Sequence, residues 1–394
     1  MSCLLASPHK HHVCTVIYKD LDADKDGKEL EKLIDKPLDE CTVYDNSREA
    51  ARNLLYAFRD LDRLENLNTL SLTFSPGYVP DRKSSSFELQ EAILDGLVLA
   101  SLKSFRREAP FLRPKVVILE NLSVMNYHRL YFDVTLGHTE VLRLSILNDK
   151  ITPRASSRPV SLRFWGSFLS HEILPHCLML TSLTLHSDLP IGSSLELDDV
   201  FLPNLRSLDL RHIIFECESL PEDDAEPAPI GIDAFILRHG ESLHALTLRK
   251  CTAKVHAFAL EDPDGNDVIL RQLLWSEVWR RYQERLTGLV ELQVIPERLE
   301  GTYPDWAAFD VWYLAYWDEF IHIPREEVEG SEADEAALEL LQEAVANRRA
   351  RISQGYFPWP FNRTMRRIQY NSPTEALSTG SRTKIHTSHS PPGA

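Results

Sequence analysis

Leucine returns along this chain in short alternating runs. Leu67-Asn68-Thr69-Leu70-Ser71-Leu72, Val116-Val117-Ile118-Leu119 and Val141-Leu142-Arg143-Leu144 come first. Leu180-Thr181-Ser182-Leu183-Thr184-Leu185, Leu205-Arg206-Ser207-Leu208-Asp209-Leu210, Leu243-His244-Ala245-Leu246-Thr247-Leu248 and Leu289-Val290-Glu291-Leu292-Gln293-Val294 follow. In an extended strand alternate side chains point to opposite sides, so the two apolar residues flanking one polar residue enter a common interior while the polar one points out. One such unit cannot bury its own leucines. Several laid side by side as parallel strands can. The units recur at intervals of roughly 25 to 47 residues, wider and less regular than the roughly 20 to 29 of an ideal leucine-rich repeat. Between them the pattern turns helical, as at Phe87 to Leu102 and Asp233 to His239.

The expected fold class is therefore α/β, an irregular leucine-rich-repeat-like solenoid with parallel strands, right-handed crossovers and outer helices, plus a C-terminal helical cap. An ordinary doubly wound sheet is the alternative, although its strands are longer and richer in β-branched residues. The expected organisation is a flexible leader over 1–11, the solenoid over 12–300, a helical cap region over 301–355 and a mostly disordered tail over 356–394. Glu216 to Pro229, rich in Glu, Asp and Pro, reads as a solvated loop inserted between two units (216–229). Past Ile295 the leucine rhythm stops. Trp306, Phe309, Tyr313, Trp317 and Phe320 then fall near helical spacing, with Trp312 and Tyr316 on another face. A helix from Ser331 to Ile352, capped by Ser331-Glu332-Ala333-Asp334 and apolar at Leu338, Leu341 and Val345, is expected to cover the open end. From Asn371 onward Ser, Thr, Pro, Gly and His dominate.

Composition narrows the partners. With 394 residues and 43% hydrophobic content the chain can bury a sizeable core. Lys and Arg number 43 against 59 Asp and Glu, a formal charge of −16, and so acidic a surface argues against nucleic acid and anionic membrane as partners. The six cysteines, Cys3, Cys14, Cys41, Cys177, Cys217 and Cys251, are scattered without paired spacing, as expected of reduced thiols in a cytoplasmic or nuclear protein. The first twelve residues lack the apolar core of a secretory signal. The most apolar later stretch, Trp306 to Ile323, is interrupted by Asp310, Asp318 and Glu319, which a bilayer span would not tolerate. Without a secretory route, the triplets at Asn121 and Asn362 carry no weight as glycosylation sites.

Chemistry-bearing motifs are sparse. Asp22-Ala23-Asp24-Lys25-Asp26-Gly27 opens like a calcium loop, but Glu29 and Leu33 stand where an apolar residue and a bidentate glutamate are needed. Cys3, His9, His11, His12 and Cys14 are zinc-type donors in a spacing that fits no finger. Asp262 to Asp267 reads as a turn. Nucleophile elbow, HExxH helix, phosphate loop and dinucleotide fingerprint are all missing, so no enzyme, catalytic residue, metal or cofactor is expected. The outward positions are more informative. If the units stack in order, His186, Arg211 and Arg249 stand side by side at about 4.8 Å per step. Arg143 is expected to extend that basic row, with Asp209, Thr184 and Thr247 lining the neighbouring one. Such a row suits capture of carboxylate or phosphate. Trp312 is a further candidate, as an aromatic anchor for a partner.

Two segments carry a resemblance. Phe201-Leu202-Pro203-Asn204-Leu205-Arg206-Ser207-Leu208-Asp209-Leu210, and the run from Phe235-Ile236-Leu237-Arg238-His239-Gly240 through Leu243-His244-Ala245-Leu246-Thr247-Leu248-Arg249-Lys250-Cys251, resemble filamentous-fungal F-box proteins with degenerate leucine-rich repeats. The helix over Asp334 to Arg349 is similar to the region after the repeats in that family. The resemblance implies the substrate-receptor subunit of a Skp/cullin/F-box ubiquitin ligase, whose repeats bind a target while an F-box binds the Skp adaptor. Met1 to Leu55 lacks the leading Leu-Pro and buried leucines of an F-box, and His12 to Tyr18 resembles the first strand after one. The Skp adaptor is accordingly expected as a partner only if an F-box is missing from this stretch of sequence. The expected function is a protein-interaction module whose partner is a protein or peptide, acidic or phosphorylated. A stand-alone leucine-rich-repeat scaffold is the alternative, and an enzyme of unrecognised type a more distant one.

Overall fold

The computed structural model describes residues 7–20, 40–75, 85–107, 113–124, 136–148, 163–192, 195–217, 229–256, 260–261, 267–268, 272–299, 308–316, 322–325 and 328–354. The acidic run at Asp22, the centre of the 216–229 loop and the tail lie outside them, as do Cys3, Trp306, Trp317 and Phe320. The first half comprises β1 (Thr15–Lys19), α1 (Glu40–Arg59), β2 (Thr69–Thr73), α2 (Ser85–Arg107), β3 (Val116–Ser123), β4 (Val141–Leu147), β5 (Ser182–Ile191) and β6 (Ser207–Phe215). The second half runs through α3 (Gly231–Arg238), β7 (Ala245–Arg249), β8 (Thr252–His256), the short pair β9 (Leu260–Glu261) and β10 (Asp267–Val268), and α4 (Trp275–Arg285). It ends with β11 (Glu291–Ile295), β12 (Glu297–Leu299), β13 (Phe309–Val311), β14 (Tyr313–Tyr316), β15 (His322–Arg325) and α5 (Asp334–Ser353).

The fold is mixed α/β around a mostly parallel sheet, and every leucine run named above supplies a strand. β1, β2, β3, β4, β5, β6, β7 and β11 pair in that order, all parallel. Two inward rows run the length of this ladder. One contains Val16, Leu70, Val117, Leu142, Leu183, Leu208, Leu246 and Leu292, the other Tyr18, Leu72, Leu119, Leu144, Leu185, Leu210, Leu248 and Val294. Except for Tyr18, Leu292 and Val294 at the two ends, these side chains are buried in one continuous core.

Strand entry follows one recipe in β2, β4, β5, β6, β7 and β11. A buried leucine closes the preceding turn (Leu67, Leu180, Leu205, Leu243, Leu289). Two successive amides then donate to a single carbonyl of the previous strand: Asn68 and Thr69 to Cys14, Glu140 and Val141 to Lys115, Thr181 and Ser182 to Glu140. Arg206 and Ser207 do the same to Thr181, His244 and Ala245 to Arg206, and Val290 and Glu291 to His244. The last two turns touch backbone to backbone: the Gly288 amide donates to the Gly240 carbonyl at 3.1 Å. A Cβ at Gly240 would stand 2.5 Å from the Arg285 carbonyl, and one at Gly288 2.5 Å from that of Glu241, so only glycine fits this approach.

The helices cover the leucine side. α1, which the sequence reading does not anticipate, packs on α2; its Leu54 and Phe58, and Leu61 in the 3-10 turn just beyond it, face the core. Beneath β4 and β5 runs a wide, π-wound helical segment, Phe164–Ile173. Its Trp165 indole donates to Asn148 Oδ1 at 2.9 Å, and the Asn148 amide donates to Ser187 Oγ and Asp188 Oδ1 at 2.7 and 2.9 Å. This polar link ties the helical segment to the carboxyl ends of β4 and β5. Between α3 and α4 an ion pair is buried, Arg281 Nη2 to Asp233 Oδ2 at 2.7 Å. Burial pushes the Asp233 carboxyl above its ordinary value, even though the Arg281 charge pulls the other way.

The region after Ile295 departs from the expected helical cap. Phe309 and Tyr313 lie in strands. β14 pairs in parallel with β8 and antiparallel with β15, and β12 pairs with β13. The helical spacing of the aromatic residues misleads here because Val311, Tyr313, Leu314 and Ala315 are all buried, which is the signature of a strand covered on both sides. Helical cover begins at Ser331, where a 3-10 turn leads into α5. The Ser331 side chain does not cap α5. Asp334 instead accepts from the Ser276 amide at 2.7 Å and from the Tyr313 hydroxyl, while the Trp275 amide donates to that hydroxyl at 3.1 Å, so the capping is spent on α4. α5 packs on α4 and the last parallel strand, β11, with Leu341 buried and Arg348 bonded to the Gln283 and Leu286 carbonyls. At the other end Pro8–His12 forms a 3-10 turn capped by Ser7, and the His11 carbonyl accepts from Asn66.

Candidate functional site

The outward side of the ladder carries the predicted residues. His186, Arg211 and Arg249 are direct register neighbours on β5, β6 and β7. Thr184, Asp209 and Thr247 form the adjacent row, as expected. Arg143 is placed differently. It aligns with Thr184, in the Asp209 row, while Ser145 stands beside His186. The reason lies in the counting: the L-x-L pair of β4 is Leu142 and Leu144, so Arg143 is the x between them and not the residue after them. Its guanidinium turns to Glu120 at 3.3 Å.

Asp209 organises the charged part. His186 Nε2 lies 3.2 Å from its Oδ1, and Arg249 Nε reaches Oδ1 and Oδ2 at 3.2 and 3.3 Å. Partial burial pushes the Asp209 carboxyl up, but the His186 hydrogen bond and the charges of His186 and Arg249 outweigh it and hold the group below its ordinary value. The outer two members of the row are therefore already engaged. Arg211, between them, is exposed and makes no ion pair among the described residues. A ligand carboxylate or phosphate would meet the Arg211 guanidinium, which no carboxylate among the described residues engages, flanked by the His186 ring and the Arg249 guanidinium that Asp209 holds.

Beyond Arg211 and Arg249 the backbone changes hand. His212 and Lys250 have φ of 56° and 50°, and Asn121, after Glu120 on β3, has 57°. Asn121 donates to the Phe74 carbonyl at 3.0 Å, and His212 Nδ1 meets the Ser187 carbonyl at 2.8 Å, so both reach back to the preceding strand. Burial lowers the His212 pKa and so favours its neutral form.

At the far end, α5 and the outward face enclose a cleft of about 450 Å³ whose wall includes Thr247, Glu291, Gln293, Gln342 and Arg349. Of these, sequence reasoning reached Thr247. Gln342 and Arg349 flank Leu341 and Val345 on the helix, but their approach to β11 depends on how α5 docks. Trp312 belongs elsewhere. It is half-buried against the core, edge-on to Trp275, and its carbonyl accepts from the Trp275 indole at 2.7 Å. It serves the interior near β8 and β14, away from the ladder rows.

Among the described residues no group of three or more His, Cys, Asp or Glu side chains could hold a metal ion, and no helix is long and apolar enough to cross a membrane. His9, His11, His12 and Cys14 therefore form no ligand set there. The free thiols of Cys177 and Cys251 are buried, and burial pushes both up to about 12, which leaves them inert as nucleophiles at neutral pH. No protein-family model, no curated protein and no solved structure matches this chain.

Proposed function

We propose that this chain is a protein-interaction module, a leucine-rich-repeat-like solenoid that holds an extended acidic or phosphorylated segment of a partner protein against the outward side of its parallel ladder. The observation that carries the reading is the alignment of His186, Arg211 and Arg249 on consecutive strands, with Arg211 exposed and unengaged by any carboxylate among the described residues. The recurrent strand entries support the repeat part of the proposal, since β2, β4, β5, β6, β7 and β11 repeat one hydrogen-bonding scheme on their neighbours. The resemblance to fungal F-box proteins extends the reading to the substrate-receptor portion of a Skp/cullin/F-box ligase.

The test uses the full chain and an array of immobilised peptides carrying phosphoserine, phosphothreonine, glutamate or alanine at one fixed position. Wild-type protein is expected to be retained by the anionic peptides, less so as salt rises. Arg211→Glu is expected to lose most of that retention, and Arg211→Glu with Arg249→Glu all of it. Retention unchanged in the double variant removes the proposal. Co-purification with a Skp adaptor tests the ligase extension separately.

A further inference from the structure

The outward side of the ladder is not uniform along its length. On β5, β6 and β7 it presents His186, Asp209, Arg211 and Arg249. On β1, β3 and β4 it presents Ile17, Val116, Ile118 and Val141, separated by the small Thr69 and Ser71 of β2. Ile17 is 72% exposed, and the other three are partly buried. Arg143 stands at the boundary, tied to Glu120. An aliphatic cluster on the outward side of a strand gains nothing from the leucine core on the other side. Here the row of Ile17 and Ile118 runs on through Arg143 and Thr184 to Asp209, beside the row of His186, Arg211 and Arg249.

We infer that the outward face reads two features of one extended partner segment: an anionic group at Arg211 and Arg249, and an aliphatic side chain over Ile17, Val116 and Ile118. This rests on the peptide-binding reading above and adds to it a spacing. From β3 to β6 is three strand steps of about 4.8 Å, and Arg211 lies two residues farther along its strand than the position opposite Ile118, a diagonal of about 16 Å. An extended chain advances about 3.3 Å per residue, so the aliphatic residue stands about four to six positions from the anionic one. The partner's anion is a carboxylate or a phosphate monoester. Both supply paired oxygens to a guanidinium, and the charge on phosphate favours it at an exposed site.

The experiment is an oriented peptide library in two arms, phosphoserine fixed in one and glutamate in the other, with all positions within eight residues randomised. Wild-type protein is expected to select Leu, Ile or Val at an offset of four to six on one side of the fixed residue. Ile17→Asp and Ile118→Ser, both at outward positions, are expected to abolish that selection and weaken retention about tenfold while keeping the need for the anion. Circular dichroism checks that both variants fold, and Ile17→Asp, on the exposed edge strand, carries the test if Ile118→Ser does not. Anion-dependent retention with no aliphatic preference at any offset overturns the two-feature inference and leaves the peptide-binding reading standing. Aliphatic selection that persists in Ile17→Asp also overturns it. Absence of anion-dependent retention in both arms overturns both readings.

Discussion

Leu208 and Asp209 are adjacent in β6 and belong to two different environments. Leu208 is buried between Leu183 and Leu246, and any comparable hydrocarbon in that row would meet the same demand. Asp209 points outward between Thr184 and Thr247, and its environment is one particular set of charges on the neighbouring strands. Interior and outward side thus share a backbone but answer to different constraints. The interior is redundant and non-directional, so its pattern repeats. The outward side is specific, so it varies from strand to strand.

That contrast can be broken deliberately. The largest effect is expected where the interior holds charge. Asp233→Ala leaves the Arg281 guanidinium buried without its partner and should cost about 3–5 kcal/mol in urea unfolding. Replacing the pair together, Asp233→Leu with Arg281→Met, should recover most of the loss, and a single-variant cost below about 1 kcal/mol would contradict an ionised buried pair. Next comes the matched pair in β6. Leu208→Ala should cost about 2–5 kcal/mol, whereas Asp209→Ala, which releases Arg249 and His186 at a partly exposed position, should cost about 0.2–1 kcal/mol. Equal costs would mean that the outward charges are structural.

The smallest effect concerns pH. His239 is buried at the end of α3, where the Leu202 amide donates to Nε2 at 2.9 Å. Nδ1 therefore carries the proton toward the Phe235 carbonyl at 2.7 Å, which fixes the neutral form. Burial lowers its pKa from 6.5, opposed by the Phe235 hydrogen bond and aided by the Arg238 charge. The unfolded chain then binds the proton more readily than the folded one. Stability is complete above about 6.5 and is lost as pH falls from there toward the folded value. Urea midpoints measured between pH 7.5 and 5 should decline in the wild type and decline less in His239→Gln, with His212 sustaining the remaining slope. A slope unaltered by the substitution would show that His239 is not held neutral.

How much was legible follows from the same contrast. The positions of the seven strands that carry leucine runs, their order and the His186, Arg211, Arg249 register could be read from the leucines, because period two and parallel stacking determine which residues align. The pairing of Asp209 with residues on both neighbouring strands could not, since it depends on diagonal side-chain reach. The Asp233–Arg281 pair was hidden within an apparently amphipathic helix, where an acidic residue ordinarily marks the solvent side. The strands after Ile295 were missed because aromatic residues packed on two sides leave no alternation to read.

The left-handed residue His212 gives β6 two allegiances. Up to Arg211 the strand pairs with β5 and β7; after it Ile213 still meets Ile191 of β5 across a register shift, while Ile214 and Phe215 pair with Thr252 and Ala253 of β8, opening a second ladder that continues through β14 and β15. A slip of one residue in β6 would have to be accommodated in both ladders at once, and the kink allows no such compromise. Among the described strands β6 is thus the hinge of the large sheet, the strand on which its two ladders must agree.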